Sequence, residues 1–141
     1  MPVLALIAAL AVQGAAQDSS LEGVWRSPGG NSIMKIEACG ASPCGTVTWA
    51  SDKAKKDSAK TTSQLVGTQL LTALQQDGKG RWHGKLFIPD RNMRVTAKLQ
   101  RVSAQQLKVS GCAAGGMVCK AAIWTAWTGP LPTDTSVPAP K

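Results

Sequence analysis

The sequence is poor in the residues that catalytic sites and nucleic-acid surfaces commonly use. It has no tyrosine, one phenylalanine and one histidine, and only 8 aspartates and glutamates stand against 16 lysines and arginines. A nucleic-acid surface would interleave aromatic with basic residues, so the basic balance alone does not predict nucleic acid as a partner. The single histidine, His83, lies on the polar face of its predicted strand with no nucleophile placed beside it. We therefore expect no enzymatic activity. Hydrolase activity is a distant third possibility behind the two non-enzymatic functions stated at the end of this section.

The chain also lacks an apolar run long enough to cross a bilayer as a helix. The run from Val3 to Val12 is too short for that, and small residues (Gly14-Ala15-Ala16) and a polar start at Gln17 follow it. Although no lysine or arginine precedes the run, this order is typical of a cleaved secretory signal. The sequence predicts a signal peptide over residues 1–16 and a soluble protein, not membrane-spanning, that is periplasmic or secreted.

Four cysteines form two close pairs, and an even count suits an oxidising compartment. Three disulfide connectivities exist, of which Cys39–Cys44 and Cys112–Cys119 is the local one because each bridge closes a hairpin. A zinc site is the alternative, but the spacings C-x4-C and C-x6-C do not match common zinc knuckles. We expect two hairpin disulfides, no bound metal and no cofactor.

Alternation of apolar and polar residues dominates the region between 18 and 128. Met34, Ile36 and Ala38 alternate with Lys35 and Glu37, and the same period of two recurs along the chain. Residues 51–64 are polar and lysine-rich and predict a long loop, residues 66–74 are ambiguous between strand and helix, and residues 129–141 predict a disordered, proline-rich tail. The candidate strands are 22–27, 32–39, 45–50, 66–74, 81–88, 93–102, 106–112 and 121–128.

Eight strands joined mostly by short connections predict an all-β fold: a single eight-stranded antiparallel up-and-down barrel. Closure removes exposed sheet edges, and a barrel of this size is either filled by side chains or holds one small ligand. Pattern does not decide between a filled and a hollow interior. The candidate ligand-binding residues are the apolar side chains expected inside: Trp25, Met34, Ile36, Trp49, Trp82, Leu86, Val95 and Leu99, with Leu107 and Val109.

Charge is concentrated in the predicted loop after the third strand. Lys53, Lys55, Lys56 and Lys60 lie close together there, and a basic exported protein can contact anionic lipid or another acidic envelope polymer. The alternative is a solvated loop whose charge only promotes solubility.

Several short motifs in order resemble an exported bacterial family, domain of unknown function 2147. They are GVW, CGASPCG, TVTW, GTQLL, RWHGKLFIPD, LKVSGC and KAAIWT. The resemblance implies a calycin-type, lipocalin-like barrel and both hairpin disulfides, and it implies no established activity. Gly23-Val24-Trp25 is also similar to the G-x-W opening of lipocalins, in which an arginine of the last strand packs over the tryptophan. This chain has Ala126 there and so lacks the residue for that closure.

Two functional hypotheses follow. The first is a binding protein that carries a small apolar or amphipathic molecule, such as one with a fatty acyl chain, in the barrel mouth. The second is a non-enzymatic envelope or interaction protein with a filled core, whose basic loop contacts an anionic surface.

Overall fold

The chain folds as a closed antiparallel barrel of eight strands, each hydrogen-bonded to the next, with β8 returning to β1. The computed structural model describes residues 20–131. The predicted signal peptide and most of the predicted tail lie outside these residues. The fold class expected from alternation is confirmed. The strands are β1 Gly23–Arg26, β2 Ser32–Cys39, β3 Ser42–Ala50, β4 Gln69–Gln76, β5 Trp82–Ile88, β6 Met93–Ser103, β7 Gln106–Ala113 and β8 Val118–Ala126.

The antiparallel order gives the barrel two distinct ends. The upper end carries the β1–β2 turn, the long β3–β4 connection, and the two 3-10 turns, Pro89–Arg91 between β5 and β6 and Ala114–Gly116 between β7 and β8. The lower end carries the other three turns and the segment that leads into β1. A ligand entering along the barrel axis would therefore meet one of two differently built ends.

Tryptophan 25 closes the lower end. Its side chain is 0% exposed, and its indole Nε1 donates a hydrogen bond of 3.0 Å to the carbonyl oxygen of Leu21. The Arg101 guanidinium of β6 lies 4.9 Å from the centre of the Trp25 ring and donates to the Ser20 carbonyl oxygen at 3.0 Å. A cation over an indole face is attracted by the ring quadrupole. The arginine that the last strand lacks at Ala126 is thus supplied by β6.

The first residue of the G-x-W motif is a glycine for a local reason. Gly23 has φ +151°, and a Cβ there would lie 3.3 Å from Trp25 Nε1. Glycine adopts such a backbone without the steric penalty that a side chain would bring. The motif therefore positions the tryptophan that seals the barrel.

The predicted lysine loop contains a short helix, α1 Asp52–Asp57, that the apolar pattern did not indicate. Ser51 caps it: the serine Oγ accepts a hydrogen bond of 3.1 Å from the Ala54 amide. Asp52 lies in its first turn and Lys55 and Lys56 in its last, as the helix dipole favours. Capping and charge placement, not an apolar face, explain a helix of this length. The ambiguous segment before the fourth turn is strand β4.

A bulge in β3 changes which face Trp49 occupies. Ile33 of β2 pairs with Trp49, whereas the next residue, Met34, pairs with Val47, so Thr48 is an extra residue in the ladder. Met34 and Val47 belong to the main core, but Ile33 and Trp49, although buried, do not. The extra residue reverses the alternation, so Trp49 lies outside the core that the sequence pattern assigned to it.

Both predicted hairpin disulfides are present. Cys39–Cys44 ties β2 to β3 at the lower end, and Cys112–Cys119 ties β7 to β8 near the upper end. Cys112 and Cys119 are directly opposed in the β7–β8 ladder. The cysteines are therefore used as cross-strand clips.

Glycine 84 is required by packing, and its replacement should destabilise the barrel. A Cβ there would lie 2.6 Å from Leu74 Cδ2 and 2.7 Å from the Thr72 carbonyl oxygen. We expect Gly84→Ala to lower the free energy of unfolding by about 1–3 kcal/mol. Gly78→Ala is the control, because nothing lies within 4 Å of its added Cβ. Equal urea midpoints for the two variants would contradict the packing explanation.

Candidate functional site

A cavity of about 550 Å³ opens at the upper end, on the inner faces of β5 to β8. This volume lies within the usual range for small-molecule sites. Inner-face residues of these four strands form most of its wall. The lining residues are Leu86, Ile88, Arg91, Met93, Val95, Val109, Gly111, Ala113, Val118, Lys120, Ala121, Ala122 and Trp124.

The space exists because small residues meet where larger ones would fill the barrel. In alternate pairs of the β7–β8 ladder, which share the inner face, Val109 faces Ala122 and Gly111 faces Lys120. Below this level the interior is closed by a continuous apolar core that includes Trp25, Leu99 and Leu107. The barrel is therefore filled at its lower end and hollow at its upper end, so neither of the two interiors considered from the sequence describes the whole molecule.

The cavity wall extends beyond the point where the barrel closes. β1 pairs with β8 only at Trp25–Ala126 and Arg26–Thr125, so the part of β8 above Thr125 pairs with β7 alone. Val118, near the top of that strand, is 57% exposed, and Met93 across the cavity is 39% exposed. The site is an open mouth with exposed apolar side chains at its rim.

Two of the eight predicted ligand-binding residues, Leu86 and Val95, line the cavity. Val109, also expected inside, lines it as well. Trp25, Met34, Ile36 and Leu99 are buried in the closed core, Trp82 packs against that core, and Trp49 lies outside it. The cavity draws more on β7 and β8 than the predicted set does, because alternation identifies a face of a strand but not the height at which the barrel becomes hollow.

The sequence interpretation missed the cavity residues of β8, since its last strand was expected to begin at Ala121. A usable signal was present. Once Cys112 and Cys119 are paired across a hairpin, Gly111 must face Lys120 and Val109 must face Ala122. The alternation Val118, Lys120, Ala122, Trp124 then follows on one face.

Two cations, Lys120 and Arg91, stand among these apolar groups. Lys120 lies on the inner face of β8, two ladder pairs below Val118 at the rim, and Arg91 lies in the 3-10 turn above β5. Neither side chain forms a hydrogen bond or ion pair with another residue in the described range 20–131. The cavity is thus an apolar chamber with positive charge near its opening.

The lysine segment lies at the same end but does not line this cavity. Lys53 Nζ is 2.7 Å from Asp57 Oδ2 within α1, and the hydrogen bond and charge of Asp57 raise the pKa of Lys53, with a smaller contribution from Asp90. A separate cavity of about 160 Å³ lies against α1 and is lined by residues that include Ala54, Asp57 and Asp90. Carboxylates therefore partly balance the charge that the sequence assigned to an anionic contact.

A stronger concentration of positive charge lies on the outer face of β5 to β7. Lys98 pairs with His83 on one side and Ser110 on the other, and a surface groove of about 260 Å³ is lined by residues including Arg81, Lys98 and Lys108. Lys85 and Arg94 extend the same outer face, where Arg94 packs 4.5 Å from the centre of the Phe87 ring.

Histidine 83 is held by Asp77, the carboxylate of the β4–β5 turn. His83 Nε2 lies 3.1 Å from Asp77 Oδ2, and Asp77 Oδ1 accepts hydrogen bonds from the Lys79 and Arg81 amides at 2.8 and 3.0 Å. These contacts, led by the one from His83, lower the pKa of Asp77 to about 2. The pair fixes a turn, and the described residues contain no group of three His, Cys, Asp or Glu side chains that could hold a metal ion.

Acid should loosen this turn over a defined pH range. Because the pKa of Asp77 falls from 3.8 in the unfolded chain to about 2 in the folded protein, the folded state binds fewer protons between these values. The stabilisation of the folded protein by the ionised Asp77 carboxylate is present above about pH 4 and is lost as the pH falls toward 2. We expect Asp77→Asn to flatten the pH dependence of the urea midpoint between pH 4 and 2. Identical slopes for wild type and Asp77→Asn would contradict this assignment.

Across residues 20–131 none of the helices has the length and apolar character needed to cross a membrane.

Comparison with known proteins agrees with the fold and the sequence motifs. Residues 23–126 match the family model "Uncharacterized protein conserved in bacteria (DUF2147)", and the chain belongs to this family. A solved structure, protein HP1028 from the human pathogen Helicobacter pylori, is described as belonging to the lipocalin family. It is similar with a TM-score of 0.60 and 17% identity over 77% of this chain and 84% of that one. At that identity the likeness shows the fold alone. Comparison with curated proteins gives no match.

Proposed function

We propose that this member of the DUF2147 family is an exported binding protein that holds one small apolar or amphipathic molecule in the upper cavity. The observation that carries the proposal is the 550 Å³ chamber with a largely apolar wall, open to solvent at one end. Cavities of this size and lining bury most of a small ligand's surface. Each methylene transferred from water to such a wall contributes about 0.8 kcal/mol.

The division of the barrel supports a binding role over a purely structural one. A filled lower end supplies a closed core, so the upper cavity is not needed for the barrel to close. Holding a wall of exposed apolar side chains open to water costs free energy, which a bound apolar ligand would offset. The lipocalin-like likeness of the fold is consistent with small-ligand binding.

Export to the periplasm or the cell exterior remains part of the proposal. Two disulfides, each joining the two strands of one hairpin, are typical of proteins that mature in an oxidising compartment. The predicted signal peptide over residues 1–16 would deliver the chain there.

Filling the cavity should abolish binding without unfolding the protein. Ala122 lines the middle of the chamber, so Ala122→Phe places a ring where a ligand would lie. We expect the affinity for the neutral fluorescent probe N-phenyl-1-naphthylamine to fall at least about tenfold, a difference of about 1.4 kcal/mol. Ala41→Phe is the control, since Ala41 is exposed in the β2–β3 turn at the other end. Equal probe affinity in both variants, with both folded, would overturn the proposed site.

A second candidate function is contact with an anionic surface, and the basic groove on the outer face of β5 to β7 favours it. Among the described residues that line this groove there is no carboxylate. The lysine segment, in contrast, carries Asp52 and Asp57 among Lys53, Lys55, Lys56 and Lys60. Arg81 of the groove is paired with Asp77 at 3.5 Å, whereas Lys98 and Lys108 form no ion pair among residues 20–131. An anionic lipid or acidic envelope polymer would therefore meet two lysines on the sheet without a paired carboxylate.

Mutation can distinguish the contributions of the two basic regions to binding of an anionic surface. We expect Lys98→Gln with Lys108→Gln to weaken co-sedimentation with vesicles containing phosphatidylglycerol about thirtyfold at low salt, since each surface cation contributes about 1 kcal/mol to such binding. Lys53→Gln with Lys55→Gln, which removes the same number of charges from the lysine segment, should have a smaller effect, because Asp57 already pairs with Lys53. Binding that persists in both variants, or that does not weaken with added salt, would remove this candidate function.

A further inference from the structure

We infer that the cavity selects an anionic amphiphile, one apolar chain ending in a carboxylate or a phosphate, and that Lys120 with Arg91 holds its charged group. This inference rests on the proposed binding function and narrows its ligand class. The inner face of β8 carries Val118, Lys120, Ala122 and Trp124. The lysine interrupts an otherwise apolar row, and the inference starts from this residue.

A lysine on the inner face of a barrel strand needs an explanation. On the inner faces of β6 to β8 the described charged residues are Arg101 and Lys120, one near each end of the barrel. Arg101 has a structural role, because it packs over Trp25 and donates to the Ser20 carbonyl oxygen. Lys120 has no hydrogen-bond or ion-pair partner among residues 20–131 and lines the cavity. Departures from a local pattern are expected at functional sites.

The position of Lys120 suits a ligand head group. It lies between Ala122, deeper in the chamber, and Val118, at the rim. It faces Gly111, where a Cβ would lie 3.1 Å from Val95 Cγ2 and 3.4 Å from Leu86 Cδ2, so apolar side chains lie next to the lysine on this side. Arg91 adds a second cation from the 3-10 turn above β5. The neighbouring carboxylate, Asp90, lines the smaller cavity against α1 and not this chamber. The wall of the described chamber therefore carries two cations, Lys120 within the cavity and Arg91 above it, and no carboxylate.

The remaining wall suits one apolar chain. Leu86 and Val95 pack beside Gly111 at about the level of Lys120, and Val109, Ala122 and Trp124 line the wall below it, all without a charged side chain. A chain anchored by its head group at Lys120 would extend toward Trp124, where the closed core begins. A neutral molecule of the same length would make the same apolar contacts and leave both cations without a partner.

The test compares matched ligands that differ in head-group charge. Dodecanoate, dodecyl phosphate and dodecan-1-ol are titrated below their aggregation concentrations, by displacement of N-phenyl-1-naphthylamine from the full-length mature protein. We expect at least one anionic ligand to bind about tenfold more tightly than the alcohol, as charge-assisted hydrogen bonds predict. Lys120→Gln should remove most of that preference and leave the alcohol's affinity within about twofold, and Arg91→Gln should reduce it partly. The preference should also shrink as salt rises.

Lys79→Gln is the control, because it removes the same charge from the exposed β4–β5 turn at the lower end of the barrel. The relative affinity of dodecanoate and dodecyl phosphate identifies the preferred head group. If all three ligands bind with equal affinity and Lys120→Gln changes nothing, the head-group inference is overturned while the cavity remains a binding site. If none of them binds and the neutral probe does not bind either, the proposed function itself fails.

Discussion

The seal around Trp25 is the interaction on which the barrel depends. β1 is short and joins β8 through only two residue pairs, so backbone hydrogen bonds alone give a weak seam there. The Trp25 indole covers this seam from inside, held by Leu21 below it and by Arg101 across the barrel. An edge between first and last strand would otherwise expose unpaired amides to other chains. The aromatic residue with the lowest exposure in the molecule therefore stands at its topologically weakest point.

Because closure is achieved at the lower end, the upper end is free to remain hollow. β2, β3 and β4 contribute Met34, Ile36, Val47 and Leu71 to the core, whereas β7 and β8 contribute Gly111, Ala113 and Ala122 at the level of the cavity. The connection that carries α1 lies against the first group of strands, where it contributes Ala54 to the core. The asymmetry of side-chain volume between the two halves thus leaves a packed interior on one side and an accessible chamber on the other.

Alternation and cysteine spacing were sufficient to predict the barrel, its strand order and both disulfides, because each depends on local patterns of period two and on short hairpins. Features that depend on one extra residue or on summed volume were not predicted. Thr48, the extra residue of the bulge, changes the register of β3 and moves Trp49 out of the core. No residue type in that strand indicates a bulge. The position of the cavity along the barrel axis depends on where small residues of β7 and β8 lie opposite each other. Helix α1 has a cap but no apolar face, so hydrophobic periodicity could not identify it.

The disulfide between Cys112 and Cys119 has a consequence for the cavity that its sequence spacing does not show. The upper part of β8 has a neighbour on one side only, since β1 ends below it. A strand held by a single ladder opens more readily than one held by two, and this strand carries Lys120, Ala122 and Trp124, three residues of the cavity wall. The bridge joins directly opposed residues one ladder pair above Lys120 and Gly111, and so limits separation of β7 from β8 at the level where the head group would bind. Stability at the mouth is therefore supplied covalently where backbone pairing is incomplete.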